Sequence, residues 1–250
     1  MSEATTHYSS YDPLARIYNE DWAIAILKET LSPIEKLLLP HLPEGAHILD
    51  LGCGAGQLAQ QLLEKGYKVT GIDGSKGMLN YAHQNAPGGQ FILGDACSFE
   101  YPSTFHGVIS IGVLNHIMKF EELKKIFHNV YEALLENGWF VFYIYLEEEY
   151  QKWNGNMSGN VKDDYAWAAR NSYCPEDKVG RINLTVFQWV EETWQRSDTT
   201  ILEKCYSTSD VQSALSKAGF TDVSIYDAER DLAIPERAGS TYFVCRKRLE

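Results

Sequence analysis

The feature that most restricts the fold of this chain is a change of hydrophobic period that repeats between residues 46 and 146. Short apolar runs rich in Ile, Val, Phe and Tyr alternate there with longer stretches that have the spacing of amphipathic helices. The pattern predicts strands at 46–51, 67–73, 90–95, 106–112 and 138–146, and helices near 56–65, 75–86 and 119–136. Strands that alternate with helices build βαβ units, so we predict a doubly wound α/β fold around a mostly parallel sheet.

Capping signals extend this plan on both sides. The run Ser32-Pro33-Ile34-Glu35 combines an N-cap serine, a proline at the first helical position and a glutamate three residues after the serine. It predicts that a helix begins there, within a helical N-terminal region at 1–45. Ser207-Thr208-Ser209-Asp210 predicts a second helix start, and Gly219 its end. Strands near 220–227 and 240–246 are expected to follow.

Residues 147–206 interrupt the alternation and are predicted to form an inserted cap. The stretch 154–160 is polar and rich in Gly and Asn, and is expected to be flexible. Segments 180–190 and 194–205 are β-branched and aromatic around a Glu191-Glu192-Thr193 turn, which predicts an antiparallel β-hairpin. Aromatic residues concentrate here and predict an apolar acceptor cavity, the alternative being packing onto the sheet or a dimer interface. They are Tyr150, Trp153, Tyr165, Trp167, Tyr173, Trp189 and Trp194.

Composition excludes several partners. The 250 residues carry 22 Lys and Arg against 34 Asp and Glu, so the formal net charge is −12, and nucleic acid and anionic membranes are expected to bind poorly. No basic segment followed by an apolar run signals secretion, and no apolar run reaches the length of a membrane span. The five cysteines are scattered without a C-x-x-C pair, so we expect neither a disulfide framework nor a metal site, and a cytoplasmic location.

The glycine-rich run Asp50-Leu51-Gly52-Cys53-Gly54-Ala55-Gly56 lies between the first strand and the following helix. Glycines let the backbone turn sharply and approach a ligand closely, and a helix N-terminus offers unpaired N–H groups. A dinucleotide fingerprint that starts at Gly52 requires glycine at position 57, where the chain has Gln57, so NAD(P) is disfavoured. Asp73 follows the loop at the end of the second strand and is placed to accept bonds from ribose hydroxyls; Asp95 ends the third strand.

Taken together and in order, these motifs resemble the class I S-adenosylmethionine-dependent methyltransferases over about residues 46 to 246. The resemblance implies a seven-stranded sheet whose last strand, Ser240 to Cys245, runs antiparallel between the fifth and sixth. It also implies a cofactor site, although Asp50 is equally suited to anchoring the loop. The implied contacts are Asp50, Gly52, Cys53 and Gly54 with Gly112 at the methionine end, Asp73 at the ribose, and Gly74, Ser75, Met78, Asp95 and Ala96 around the adenine.

The resemblance also indicates a lid and two candidate catalytic residues. The segment from Tyr11 to Tyr18 is similar to one that small-molecule methyltransferases fold over the cofactor, although an amphipathic helix that buries its apolar side chains explains it as well. His116 follows the fourth strand, where it is either a general base or a histidine that packs in the loop. Tyr143 lies at the ligand edge of the fifth strand, where it faces either the pocket or the core.

The sequence therefore predicts an enzyme that moves the methyl group of S-adenosylmethionine to oxygen or nitrogen of a small molecule, leaving S-adenosylhomocysteine. Residues 46–146 and 207–250 form the cofactor-binding core, and residues 147–206 cap the acceptor. No metal is needed, and a monomer or homodimer is expected. The alternatives are a methyltransferase that acts on tRNA or another macromolecule, and a protein that binds the cofactor without chemistry.

Overall fold

A computed structural model describes residues 9–248 of the chain, so residues 1–8 of the predicted lid lie outside the described part. Seven α-helices and eleven strands follow one another in the order of the chain. The helices are α1 (Ala15–Ile17), α2 (Ala23–Leu37), α3 (Gln57–Glu64), α4 (Lys76–Asn85), α5 (Phe120–Ala133), α6 (Glu147–Gln151) and α7 (Thr208–Ala218). The strands are β1 (His47–Leu51), β2 (Lys68–Asp73), β3 (Gln90–Leu93), β4 (Phe105–Ser110), β5 (Leu134–Tyr145), β6 (Met157–Val161), β7 (Tyr165–Cys174), β8 (Val179–Val190), β9 (Thr193–Lys204), β10 (Asp222–Asp227) and β11 (Ser240–Arg246).

Seven of these strands form one mixed sheet in the order β10-β11-β5-β4-β1-β2-β3. Strands β1 to β5 pair in parallel, and β11 runs antiparallel to both β5 and β10. The predicted α/β fold, with an antiparallel last strand between the fifth and sixth, is confirmed. The order reverses at β1 and β4, which is the place where open α/β sheets bind ligands at the carboxyl ends of the strands.

Helices cover both faces of this sheet. On one face, Phe127 of α5 and Leu215 of α7 are fully buried against Phe140 and Phe142 of β5. On the other face, Ile34 of α2 and its neighbours from α3 pack on the central strands. The central strands are buried on both sides, which explains why they are continuous apolar runs rather than alternating ones.

The N-terminal helix α2 corrects one prediction. It begins at Ala23, not at Ser32, and Pro33 lies buried inside it. Ala23, Thr30, Ile34 and Leu37 are buried at helical spacing, so one continuous apolar face holds the helix together across the proline. The free energy gained by packing thus outweighs the loss of the backbone hydrogen bond that Pro33 cannot donate. The capping signature at Ser32 therefore does not mark the start of a helix here.

The insertion forms a second, four-stranded antiparallel sheet in the order β6-β7-β8-β9. The predicted hairpin is β8 and β9, joined by Glu191 and Glu192, which both adopt positive φ as a tight two-residue hairpin turn requires. Strands β6 and β7 were not predicted, and β6 takes in part of the stretch 154–160 that the sequence marks as flexible. All five residues of β6 are exposed, so this edge strand has no apolar alternation by which to recognise it.

The N-terminal segment lies between the two sheets. Residues 9–22 form short 3-10, α and π-helical turns. Leu14 and Ile17 are fully buried in a cluster with Tyr165, Leu184 and Ile201 of the second sheet. No helix within residues 9–248 has both the length and the apolar character needed to cross a membrane.

Two glycines with similar backbone conformations allow a test of the packing. Gly56 has φ of 82°, and a Cβ there would lie 2.9 Å from Ala82 Cα of α4. Gly66 has φ of 87° with open space around it. We expect Gly66→Ala to cost about 1 kcal/mol of unfolding free energy through φ strain, and Gly56→Ala to cost about 2 kcal/mol more because α3 and α4 must separate. Urea unfolding of both variants measures the difference, and equal losses would contradict the account.

Candidate cofactor and acceptor site

The glycine loop crosses the carboxyl end of β1 and turns into α3. Gly52 and Gly54 both have positive φ, at 80° and 52°. A Cβ at Gly52 would lie 2.1 Å from Val113 Cγ2, and one at Gly54 would lie 3.2 Å from the Tyr18 ring. At Gly52 the backbone therefore runs closer to its neighbour than any side chain permits, and at Gly54 a side chain would crowd the Tyr18 ring.

Asp73 at the end of β2 connects this loop to α4. Its Oδ2 accepts a hydrogen bond from Gly54 N at 2.9 Å, and its Oδ1 accepts one from Ser75 N at 2.8 Å. Burial raises the pKa of Asp73, and these two N–H donors oppose that shift. Each carboxylate oxygen keeps a second lone pair, so Asp73 is able to accept further bonds from a ligand.

A cavity opens beside Asp73. Ten of the sequence-predicted site residues line it, from the glycine loop, the strand ends and the lid. They are Tyr11, Tyr18, Gly52, Gly54, Asp73, Gly74, Met78, Ala96, Gly112 and His116.

Asp50 and Cys53 line a neighbouring space instead, and Tyr18 lines both spaces. Asp50 is 2% exposed, and its Oδ2 accepts no hydrogen bond from residues 9–248. Burial, together with the charge of Asp73, raises the pKa of Asp50 to about 7. The Cys53 thiol packs toward β2, since a Cβ at Gly71 would lie 2.7 Å from its Sγ.

These features fit S-adenosylmethionine. The orphaned Asp50 oxygen offers an acceptor to the amino group of a methionine part, and the glycine cradle leaves room for its backbone-like atoms. Asp73 offers an acceptor pair to ribose hydroxyls. Within residues 9–248, no group of three or more His, Cys, Asp or Glu side chains is arranged to hold a metal ion.

Three predicted residues do not line the cavity. Ser75 is fully buried and caps α4, its Oγ accepting from Met78 N at 3.1 Å. Asp95 Oδ1 accepts from Cys97 N at 2.8 Å and holds the turn from Asp95 to Cys97.

The third, Tyr143, is 3% exposed, and its hydroxyl would lie 3.4 Å from a Cβ at Gly112. That hydroxyl accepts a hydrogen bond from Arg237 Nη1 at 2.9 Å. Arg237 Nη1 also donates to the Tyr145 hydroxyl, and Arg237 Nε lies 2.6 Å from Glu29 Oε2 of α2. Tyr143 therefore belongs to a buried polar cluster at the edge of the cavity.

Polar contacts hold the lid over the cavity from both sides. Asp12 Oδ1 accepts from Ser75 Oγ at 2.6 Å and from Gly77 N at 2.9 Å, at the start of α4. Asp21 accepts from the Tyr165 hydroxyl and from Trp167 Nε1, at 2.9 and 2.7 Å, in the second sheet. These bonds and the Lys162 ammonium lower the pKa of Asp21 to about 2, against the effect of burial.

His116 lies where the cavity, the lid and strand β9 meet. Its Nε2 is 3.1 Å from the Tyr11 hydroxyl, and its Nδ1 is 3.3 Å from the carbonyl oxygen of Leu202. A carbonyl oxygen only accepts, so Nδ1 carries the proton of the neutral ring and Nε2 is the basic nitrogen. Glu203, which sequence reasoning missed, places its Oε1 4.0 Å from the same Nε2.

The aromatic residues of the insertion correct a prediction. Trp189 and Trp194 contact each other at the tip of the hairpin, where they are 46% and 50% exposed, so they line no acceptor cavity. Tyr150, Trp153 and Tyr173 form a separate buried cluster behind Glu203. The alternative of packing onto neighbouring elements describes these three rings better.

Part of the chain matches a known family. Residues 48–138 match the profile of a family described as a methyltransferase domain. The YqeM protein of Bacillus subtilis (strain 168), provisionally named as a methyltransferase, is 27% identical over 84% of this chain and 86% of its own. An 18S rRNA (guanine-N(7))-methyltransferase of Bos taurus is 30% identical over 58% of this chain and 57% of its own.

Solved structures share the fold. An S-adenosylmethionine-dependent methyltransferase from Clostridium acetobutylicum has a TM-score of 0.76, with 20% identity over 96% of this chain and 99% of that one. The sugar N-methyltransferase KedS8 from Streptoalloteichus has a TM-score of 0.74, with 18% identity over 96% and 93%. The fold, the glycine loop and the match over residues 48–138 are shared with the class I S-adenosylmethionine-dependent methyltransferases. They agree with a site for S-adenosylmethionine rather than for NAD(P).

The buried Asp50 predicts a pH dependence of stability. Because its pKa is about 7 in the fold against 3.8 in the unfolded chain, the folded state holds this proton more tightly. The stability that comes from this tighter proton binding is fully present below pH 3.8, the pKa of the unfolded chain, and is lost as the pH rises toward 7, the pKa in the fold. We expect the difference in free energy of unfolding between Asp50→Asn and the wild type to increase by on the order of 2 to 4 kcal/mol as the pH rises from about 4 to 8.

Chemical unfolding of both proteins across that pH range measures the gain. Asp163→Asn, at an exposed position, is the matched control and is expected to follow the wild type. A constant difference between Asp50→Asn and the wild type at every pH would show that Asp50 is not the titrating group.

Proposed function

We propose that the protein transfers the methyl group of S-adenosylmethionine to nitrogen or oxygen of a small-molecule acceptor that binds next to His116. The observation that carries the proposal is the position of His116, whose basic Nε2 lies at the junction of the cavity, the lid and the inserted sheet. The similarity in fold to a sugar N-methyltransferase supports a small acceptor.

In this proposal the cofactor lies along the carboxyl ends of the strands. Asp73 holds the ribose hydroxyls, the loop from Asp50 to Gly54 holds the methionine part, and Gly94 to Ala96 with Met78 surround the adenine. The cofactor supplies a methyl group activated by positive sulfur. The chain contributes alignment and the exclusion of water, because the lid residues Tyr11 and Tyr18 cover the cavity.

His116 acts as the general base. Its Nδ1 proton is directed to Leu202 O, so the imidazole keeps a fixed orientation and a fixed tautomer. Nε2 is then able to take a proton from an acceptor N–H or O–H once the acceptor displaces the Tyr11 hydroxyl from Nε2. Tyr143, oriented by Arg237, contributes a hydroxyl next to Gly112 at the methyl-transfer end.

Enclosure favours a small acceptor over a macromolecule. The lid is bonded to the core through Asp12 and to the second sheet through Asp21, and both contacts hold it next to the cavity that Tyr11 and Tyr18 line. The formal net charge of −12 opposes binding of nucleic acid, although one relative acts on rRNA by its name.

We assign the lid to 1–45, the core to 46–146 and 207–250, and the cap to 147–206. All five cysteines are unpaired, which supports a cytoplasmic location.

Substitution of His116 tests its role. We expect His116→Gln to lower kcat by about 10²- to 10⁴-fold toward an acceptor found by screening small amines, alcohols and phenols, because the base is lost. Its affinity for S-adenosylhomocysteine is expected to stay within about twofold, since the cofactor contacts lie elsewhere. His128→Gln, at an exposed position on α5, is the matched control and is expected to retain full activity.

Two outcomes would contradict the proposal. One is a His116→Gln protein with the kcat of the wild type. The other is methylation of bulk tRNA or rRNA by the wild type at moderate salt while small molecules are not methylated.

A further inference from the structure

A nearly buried carboxylate next to the base is the feature of the site that the proposed function leaves unexplained. Glu203 of β9 is 7% exposed. Its Oε2 accepts from the Tyr150 hydroxyl at 2.9 Å, whereas its Oε1 accepts no hydrogen bond within residues 9–248 and lies 4.0 Å from His116 Nε2. A carboxylate removed from water is costly unless a positive charge accompanies it.

The described protein supplies no permanent cation to Glu203. The buried cation in this region, Arg237, is committed to Tyr143, Tyr145 and Glu29. Because Glu29 neutralises Arg237, the negative charge of Glu203 next to β9 is not balanced by it. Two phenol rings also lie near Glu203: Tyr150 donates its hydroxyl to Glu203, and the ring centroids of Tyr145 and Tyr150 are 6.2 Å apart.

This environment discriminates between acceptor classes. A carboxylate or phenolate acceptor would bring a second negative charge beside Glu203 in a site shielded from water, and like charges repel strongly there. A neutral alcohol would leave the carboxylate without a counter-ion. An ammonium group supplies that charge. The field of a protein with formal net charge −12 also attracts cations.

We propose that the acceptor is a small amine that enters as an ammonium ion, and that Glu203 is the counter-ion which positions it beside His116. The inference rests on the proposed function and deepens it by naming the acceptor class. Glu203 acts as a positioning residue, since it balances charge and takes no part in bond formation.

The reaction balances with these groups alone. The ammonium gives one proton to His116 Nε2, which leaves a neutral amine with a lone pair. That lone pair forms a bond to the methyl carbon while the carbon–sulfur bond breaks and its electrons stay on sulfur. The product is a methylated ammonium ion, and Glu203 lies close to a positive charge at each stage: the acceptor, the imidazolium or the product.

Binding to the complex with S-adenosylhomocysteine tests the inference without turnover. Benzylamine, benzyl alcohol and benzoate share a ring and differ in charge, so calorimetric titration of each at pH 7 reads the charge preference of the site. We expect wild-type affinity at least tenfold higher for benzylamine than for benzyl alcohol, with benzoate weakest. Glu203→Gln is expected to lose that tenfold preference and Glu203→Asp to keep most of it, while Glu192→Gln at the exposed hairpin turn leaves it unchanged.

The inference is overturned if benzoate binds best, if no benzylamine binding is detected at millimolar concentration, or if Glu203→Gln keeps the amine preference. Each variant must bind S-adenosylhomocysteine as the wild type does, which shows that it is folded. A wild type that fails to bind S-adenosylhomocysteine would instead contradict the proposed function, so the two failures are distinguishable.

Discussion

The hydrogen bonds of Asp73 are the interaction on which the rest of the site depends. One carboxylate oxygen accepts from Gly54 in the glycine loop, and the other accepts from Ser75 at the start of α4. Two separate βα connections are thereby fixed to each other at the reversal point of the sheet. Ser75 in turn donates to Asp12, so the same contact sets the position of the lid. The glycine loop and the N-terminal segment therefore form one connected unit.

The second sheet and the N-terminal segment cover the edge of the core sheet where Asp73 and His116 lie. Core strands alone place Asp73 and His116 at one edge, but this edge faces solvent until the N-terminal segment and β9 cover it. Leu14 and Ile17 bind that segment to the second sheet by apolar burial, while Asp21 fixes its register. Strand β9 supplies Leu202 O to orient His116, and it brings the buried charge of Glu203. In the proposed function, the acceptor therefore reacts where the two sheets meet.

How much of this the sequence predicts depends on how local each signal is. Hydrophobic periodicity and motif spacing are local signals, and they predict the order of strands and helices, the glycine loop and Asp73. They suffice because every βαβ unit places its strand ends at the same edge of the sheet. Glu203 has no such signal, because its role comes from Tyr150 and His116, distant in sequence. The exposed pair Trp189 and Trp194 shows the converse, since aromatic composition predicts burial that the hairpin tip does not provide. Pro33 likewise lies inside α2 because distant packing outweighs a local capping pattern.

The central claim is that Asp73 and the glycine loop form an S-adenosylmethionine site, and calorimetric titration of the whole chain tests it most directly. We predict that S-adenosylmethionine and S-adenosylhomocysteine bind with one site per chain and that NAD does not bind. Asp73→Asn is predicted to weaken both by at least about tenfold, since a charged acceptor is lost, whereas the exposed Asp163→Asn leaves them unchanged. Preferential binding of NAD, or unaltered affinity in a folded Asp73→Asn protein, would contradict the account.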